Sequence, residues 1–391
     1  MRRIPIETAH WRRREFAAVA RALIGRAPDE AIAALEREAA AHLGGATVFA
    51  VNSGRGAMAI ALKLLQARAP NRKRVLIPEY VCPSVPAALA RLGFETLCLP
   101  VGEDLNVLGD AAVAALDERV LAVVPVHMYA HIVDVRATAA EARAQGAGVI
   151  DDAAHIIGVS AADGMIPGTT GEFGFISLAQ SKTLSCGNSG AGGLVIINDA
   201  KFLGPSEVEI ASLPAARLTD LLRFALEERH IPPRDTLTWR IGDVYSRLVP
   251  GAVLPLELNI TRIGATYASV ALGQLATLAE RITDKRRIAG LYADALADVP
   301  AVRFSQFAPG CYLSRVALMA RSVAERNALR EHLASRAIAT RKGYPPPQAP
   351  MVGGGRPRDF AVIEVPSGFG LSEDSVARIA GSIHEFYERV E

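Results

Sequence analysis

Val149-Ile150-Asp151-Asp152-Ala153-Ala154-His155 is a stretch in which an apolar strand ends in two acids and a histidine. A second strand-like stretch, Phe173-Gly174-Phe175-Ile176-Ser177, leads to Lys182 through residues that carry no charge. Short, uniformly apolar strands separated by helices indicate a mostly parallel sheet that is covered on both faces. Ligands of such sheets bind outside the carboxyl ends of the strands, so Asp152 and Lys182 are expected to face the same pocket.

The alternation of strand and helix continues on both sides of these stretches. Predicted strands cover 48–51, 74–78, 120–126 and 193–197, and predicted helices cover 57–67, 83–92 and 135–145. The pattern is helical from 201 to 249, and residues 263–297 predict one or two long helices. We therefore predict an α/β fold with a large domain, residues 1–283, that begins with helices. A smaller C-terminal α+β domain, residues 284–391, follows it.

Composition and charge exclude several classes of protein. The chain has 391 residues, half of them hydrophobic, and a net charge of only +2. Without a broad basic face, nucleic acid is not expected as a partner. No window is apolar for long enough to span a bilayer, and the basic start lacks the apolar run of a secretory signal. Four scattered cysteines predict reduced thiols in a cytoplasmic protein, with neither disulfides nor a zinc site.

Lys182 and Asp152 together predict a site for pyridoxal 5'-phosphate (PLP). A lysine forms a Schiff base with the aldehyde of this cofactor, and a carboxylate keeps the pyridine nitrogen protonated. Side chains of Asp151 and Asp152 alternate along a strand, so only one can face the pocket, and we predict Asp152. His155 is in reach of the ring hydroxyl. The alternatives are a loop lysine, an acid that caps a helix or is solvated, and a structural histidine.

The segment Asn52-Ser53-Gly54-Arg55-Gly56 lies between a predicted strand and a predicted helix. Glycines allow the backbone to approach an anion, and a helix N-terminus offers unpaired N–H groups, so the segment predicts a phosphate site. The alternative is an ordinary tight turn. His127 and His131 are four residues apart but lack the glutamate of a zincin helix, so no metal is expected. His127 is alternatively a strand end in the same pocket as Asp152.

Taken in chain order, these segments resemble the DegT/StrS family of PLP-dependent aminotransferases, best known from sugar-nucleotide amination. The resemblance runs from about residue 41 to the end and implies the aspartate-aminotransferase fold, fold type I. It implies that Lys182 binds the cofactor covalently, that Asp152 pairs with the pyridine nitrogen and that His155 lies beside the ring hydroxyl. It also implies that Ser177 and the backbone of Gly54 and Arg55 hold the phosphate.

The resemblance further implies a homodimer in which residues Asn259 to Arg262 reach the partner's cofactor. The chain departs from the family at three places. Arg55 stands where the family usually has threonine, and the family's asparagine before Arg262 is one place out of register, at Asn259. Cys82 stands where an aromatic residue normally stacks on the cofactor ring, so that the stack is either lost or supplied by Tyr80.

The function implied is transfer of an amino group from a donor such as glutamate to a keto sugar nucleotide or a related carbonyl intermediate of specialised metabolism. Lys182 would move the proton on the substrate carbon. One alternative is another PLP reaction, such as decarboxylation or side-chain elimination; dehydratases of the family have histidine in place of this lysine. The other alternative is a regulatory protein that retains the fold without catalysis.

Overall fold

A computed structural model of the chain describes residues 4–6, 11–13, 15–17, 20, 28–187, 191–215, 259–299, 303–304 and 311–389. The first unit contains the helices α1 (Pro28–His42), α2 (Gly54–Arg68), α3 (Ser84–Arg91), α4 (Gly109–Ala114), α5 (Arg136–Ala144), α6 (Leu203–Ala211) and α7 (Ala265–Leu275). Its strands are β1 (Thr47–Val51), β2 (Arg74–Pro78), β3 (Glu95–Leu99), β4 (Val120–Val123), β5 (Gly148–Asp152), β6 (Phe173–Ser177) and β7 (Gly193–Ile197).

The seven strands form one sheet in the order β1-β7-β6-β5-β4-β2-β3. Strands β3, β2, β4, β5 and β6 all run parallel to one another. Strand β7 is antiparallel to both of its neighbours, β6 and β1. The carboxyl ends of β5 and β6 therefore lie side by side. This is the edge at which the two stretches that carry Asp152 and Ser177 were expected to meet.

Alternate residues of the strands enter two separate cores. In β7, Leu194 and Ile196 belong to one buried cluster and Val195 and Ile197 to another. All five residues of this strand are buried, which explains its uniformly apolar sequence. The sheet is thus covered on both faces, as the apolar strands predict.

A second unit contains β8 (Arg303–Phe304), β9 (Val316–Met319), β10 (Arg341–Lys342) and β11 (Val362–Val365), joined in an antiparallel sheet of order β10-β11-β9-β8. The helices α9 (Val323–Ser335) and α10 (Glu373–Tyr387) follow β9 and β11. This smaller unit, with a separate sheet, has the α+β character that was predicted.

The helix α8 (Leu278–Ala295) passes through the predicted domain boundary at residues 283 and 284. Its first part contributes Leu278 and Ile282 to a core of the large sheet, and its later part contributes Ile288 and Tyr292 to the core of the second unit. The backbone of Ile4 pairs with residues 337–339 of the second unit. The boundary itself stays a prediction, and α8 is a continuous connection across it.

One strand was missed by the sequence prediction, and one predicted helical segment is described only in part. Strand β3 was not predicted, because it is an edge strand that begins with an exposed glutamate, Glu95, and lacks a uniformly apolar pattern. Of the segment 201–249 that was predicted to be helical, residues 216–249 lie outside the described residues, and 203–211 form α6. Within the described part of the chain, no helix combines the length and the apolar character that a membrane crossing requires.

Candidate active site

Asp151 and Asp152 lie on opposite sides of β5 and have different partners. The carboxylate of Asp151 accepts hydrogen bonds from the backbone N–H groups of Gly168 (2.8 Å) and Thr170 (3.3 Å) and contacts His127 Nε2 (2.8 Å). Asp152 accepts a hydrogen bond from the N–H of Ala154 (2.9 Å) and is close enough to Lys182 for their charges to interact. Asp151 therefore fixes the neighbouring loops, whereas the charge of Asp152 interacts with that of Lys182.

Lys182 lies in the turn that follows β6 and reaches back to the segment after β5. Its Nζ is 2.7 Å from His155 Nε2, and the other ring nitrogen of His155 is 3.0 Å from the hydroxyl of Ser314. The preceding residue, Ser181, has φ of 72°, which is uncommon for a residue other than glycine. The turn thus holds Lys182 in a fixed direction at some conformational cost.

Burial sets the charge of these groups. Desolvation, followed by the positive charge of Arg315, lowers the pKa of Lys182 to about 8. Desolvation also holds the pKa of His155 well below its usual range, and the positive charge of Lys182 acts in the same direction. Burial raises the pKa of Asp152 to about 6, against the opposing effect of the Ala154 N–H and of Lys182. At neutral pH the site therefore combines a carboxylate, a neutral imidazole and a readily deprotonated amine.

The N-terminus of α2 packs against the end of β6. Ser53 caps this helix, with its hydroxyl accepting a hydrogen bond from the N–H of Gly56 (3.0 Å). A Cβ atom added to Gly54 would lie 3.1 Å from Cβ of Ser177, and one added to Gly193 would collide with the backbone of Ser53 and Gly54. Ser177 therefore lies beside the N-terminus of this helix, which is the kind of place where an anion can bind.

Arg55 and Cys82 lie close to Lys182 or to each other, whereas Tyr80 is buried among other aromatic residues. Arg55 and half-buried Cys82 are close enough to influence one another, and Cys82 also affects the charge of Lys182. Tyr80 is fully buried, and its hydroxyl contacts Tyr129 OH (2.6 Å). Its ring packs on other aromatic rings, so Cys82 is the better placed of the two to contact a ligand at Lys182. The assignment of Arg55, Cys82 and Tyr80 to the cofactor stays a prediction.

Asn259 and Arg262 lie beside residues 51 and 52 of their own chain, at the start of the segment that is predicted to bind phosphate. The carbonyl of Asn259 accepts a hydrogen bond from Asn52 Nδ2 (2.6 Å). Arg262 donates to Glu36 Oε1 (2.9 Å), and its backbone pairs with Val51. Their predicted contact with the partner's cofactor is not tested by one chain and stays a prediction.

The second unit supplies residues to the site that the sequence did not indicate. Arg315 donates to the carbonyl of Ser181 (3.4 Å), contacts the hydroxyl of the same residue and forms a buried ion pair with Glu364 (2.9 Å). Tyr344 OH lies 3.5 Å from His155 Nε2 and 3.1 Å from Arg315 Nη1. These residues fix the lysine turn from the far side.

The residues present fit PLP and do not suggest a metal. An amine, a buried carboxylate and a helix N-terminus with close glycine packing are the groups that bind the aldehyde, the ring nitrogen and the phosphate of this cofactor. Among the described residues, there is no group of three or more histidine, cysteine or acidic side chains that could hold a metal ion.

The model of the DegT/DnrJ/EryC1/StrS aminotransferase family matches residues 12–204 and 257–353, well over half of the chain. The chain belongs to this family. The family model describes aminotransferases, and this member is therefore a PLP-dependent aminotransferase whose substrates are small molecules.

Solved structures similar to this DegT-family aminotransferase share its fold over nearly the whole chain. Helicobacter pylori PseC, described as an aminotransferase involved in the biosynthesis of pseudoaminic acid, is 16% identical, with 99% of this chain and 100% of that chain covered and a TM-score of 0.79. S. venezuelae DesV, in complex with a ketimine intermediate, is 22% identical, with full coverage of both chains and a TM-score of 0.77. DesI, in the presence of its TDP-sugar product, is 21% identical, with coverages of 99% and 94% and a TM-score of 0.72.

These similarities show that the DegT-family aminotransferase has fold type I of the PLP enzymes, with a seven-stranded, mostly parallel sheet and a smaller second unit. The fold class predicted from the apolar strands and from the resemblance is confirmed. The roles of individual residues are not tested by these similarities, because identities of this size show only the fold.

Proposed function

We propose that this chain uses PLP to transfer an amino group from a donor such as glutamate to a keto sugar nucleotide or a related carbonyl intermediate of specialised metabolism. One observation supports it above the others. Lys182 Nζ is 2.7 Å from His155 Nε2 and close enough to Asp152 for their charges to interact, near the carboxyl ends of β5 and β6. In this proposal Lys182 is the covalent attachment site and Asp152 the partner of the pyridine nitrogen.

PLP, when bound, supplies a carbonyl carbon that accepts the amine and a protonated ring that accepts electrons. The chain's own residues prepare the pocket for that chemistry. Desolvation and Arg315 keep a large share of Lys182 neutral near pH 8, so its Nζ can take and return a proton. Asp152 is ionised above about pH 6 and would present a negative charge to the cationic ring nitrogen of bound PLP. Neutral His155 offers Nε2 at hydrogen-bonding distance from Lys182.

The phosphate end of the proposed site is the N-terminus of α2. Backbone N–H groups of Gly54 and Arg55 and the side chain of Ser177 would hold the phosphate, and the charge of Arg55 would add to their attraction. Gly54 supports this arrangement, because any larger residue there would approach Ser177 within van der Waals contact.

The acceptor class is proposed from the chemistry named for the similar structures. DesI was solved in the presence of its TDP-sugar product, and PseC is involved in the biosynthesis of pseudoaminic acid, so a keto sugar nucleotide is our first candidate. We further propose that the enzyme is a cytoplasmic homodimer. All four cysteines are free thiols, which supports a reducing compartment.

Spectroscopy of the purified full chain with added PLP tests the proposal. We expect a visible absorbance band that borohydride bleaches, and peptide mapping that finds the pyridoxyl mass on Lys182. Glutamate should convert the cofactor to its pyridoxamine form, and a screen of keto sugar nucleotides should restore the band. A colourless protein that takes up no PLP would favour a regulatory role. A bound cofactor that no amino donor converts would favour another PLP reaction.

A further inference from the structure

A cavity of about 30 Å³ lies between the Lys182 turn, helix α8 and the residues after β11. Its described lining consists of Ser181, Lys182, Thr183, Ser185, Arg281, Lys285, Ser314, Arg315, Ser367, Gly368 and Phe369. Four of these residues are basic, five carry a hydroxyl group, and none of the described lining residues is acidic. A cavity lined by cations and hydroxyls, without carboxylates, is suited to an anion.

Three of the four basic residues, Arg281, Lys285 and Arg315, are buried rather than solvated. Lys285 is 7% exposed and donates to the carbonyl of Ser314 (2.7 Å). Arg281 and Arg315 are likewise buried and pair with Glu15 and Glu364, both of which lie outside the lining. After desolvation and the charge of Lys182, the positive charges of Arg315 and Lys285 further lower the pKa of His155, so both charges act on this side of the site.

Ser185 gives a second, independent indication of a ligand. Its backbone is fixed by Gln274, whose amide accepts from the N–H (2.7 Å) and donates to the carbonyl (2.8 Å). The side chain is buried, with the residue 7% exposed, and its hydroxyl has no hydrogen-bond partner among the described residues. A buried polar atom without a partner is uncommon and costly, and this hydroxyl belongs to a residue that lines the cavity, so a polar ligand bound there could supply the missing hydrogen bond.

The size of the cavity limits what it can bind. Its volume corresponds to one or two water molecules or a carboxylate group, and is far too small for a sugar nucleotide. The adjoining Lys182 is the group on which the proposed reaction depends. A ligand there would therefore place a small anionic group beside the residue that carries the reacting amine.

We propose that this cavity is a subsite for the carboxylate of a substrate, held by Lys285 and the Ser185 hydroxyl, with the amino-acid donor as its source. The inference rests on the proposed function. It adds that Lys285 and the Ser185 hydroxyl recognise the donor's carboxylate, beside the residue that carries the reacting amine. The larger part of the acceptor would then be bound elsewhere in the pocket.

Calorimetric titration of the PLP-loaded full chain with glutarate, and with uncharged glutaramide, tests the proposal. We expect glutarate to bind at least tenfold more tightly than glutaramide. Lys285→Met should weaken glutarate binding about tenfold or more, because a charge-assisted bond is lost, and Lys285→Arg should restore part of it. Ser185→Ala should weaken it by several fold.

Ser206→Ala is a matched control, because the hydroxyl of Ser206 in α6 is also buried without a described partner but lies outside the cavity lining. It should leave glutarate binding unchanged. The proposal is overturned if Lys285→Met and Ser185→Ala, both folded by circular dichroism, bind glutarate like the parent chain. The proposal is also overturned if glutaramide binds to the parent chain as tightly as glutarate does. The same holds if inorganic phosphate binds more tightly than glutarate.

The source of the carboxylate follows from kinetics of the same variants. A higher KM for glutamate in Lys285→Met identifies the donor, as proposed. If Lys285→Met loses affinity for glutarate but keeps the KM for glutamate, the carboxylate that binds in the cavity belongs to the acceptor and not to the donor. Failure of the proposed function would be distinct, because the protein would then retain no PLP or transfer no amino group, whatever its affinity for glutarate.

Discussion

Asp151 and Asp152 differ in what their loss should do, although they are neighbours in the chain. Asp152→Asn removes the charge proposed to face the ring nitrogen and should cut the rate of the donor half-reaction by orders of magnitude with little loss of stability. Asp151→Asn weakens the contacts with Gly168, Thr170 and His127 and should lower the free energy of unfolding by about 2 kcal/mol. Half-reaction kinetics and urea unfolding of both variants measure the two effects. An inactive Asp151→Asn beside a normal Asp152→Asn would show that their roles are reversed.

The lowered pKa of Lys182 predicts how pH governs attachment of the cofactor. The amine reacts only when deprotonated, so the rate of PLP attachment should rise with pH through a midpoint near 8 instead of the ordinary value of 10.5 for lysine. The positive charge of Arg315 contributes to the lowering, and Arg315→Met should therefore move the midpoint to higher pH. Stopped-flow absorbance at a series of pH values gives both midpoints. A midpoint that stays the same in Arg315→Met would contradict the electrostatic explanation.

At the scale of secondary-structure elements, the close contact of β7 with the start of α2 depends on Gly193. A side chain there would collide with the backbone of Ser53 and Gly54, so Gly193→Ala should displace the proposed phosphate segment. We expect PLP affinity to fall at least tenfold and the free energy of unfolding to fall by about 1–3 kcal/mol. Gly381→Ala, in an open position of α10, is the control and should be neutral or slightly stabilising. Equal PLP affinity in the two variants would argue against a phosphate site at this helix.

The strands that position the site were predictable because each is buried on both faces. The bounds of β6 and β7 match the apolar runs residue for residue, and β5 extends the predicted run to Asp152. Glu95 begins an exposed edge strand, which has no such pattern. The contacts of Arg315 with Ser181 join residues 134 positions apart, and no local pattern records a pairing of that kind. Alternation along a strand did predict that Asp151 and Asp152 face opposite ways.

At the scale of the whole molecule, the proposed homodimer makes a prediction about residues shared between subunits. If Arg262 serves the partner's site, a mixed dimer of Lys182→Ala and Arg262→Gln contains one complete site. Such a mixture should recover up to about a quarter of the activity of the parent enzyme on statistical grounds, although each variant alone is impaired. Sedimentation establishes the dimer, and activity after co-refolding establishes the sharing. Activity no higher than the average of the separate variants would mean that Arg262 acts within its own subunit, where it contacts Glu36.

The pairing of Ile4 with the second unit has a consequence for the order in which the chain folds. The N–H of Ile4 donates to the carbonyl of Ala337 (2.9 Å), and its carbonyl accepts from the N–H of Ala339 (2.9 Å). The ribosome synthesises Ile4 long before residues 337–339, and contacts between distant parts of a chain form late. The large sheet around Lys182 can assemble while later residues are still being synthesised, whereas the second unit needs both Ile4 and the residues up to α10. Assembly of the large sheet can therefore come before the step that brings Arg315 and Tyr344 to the lysine.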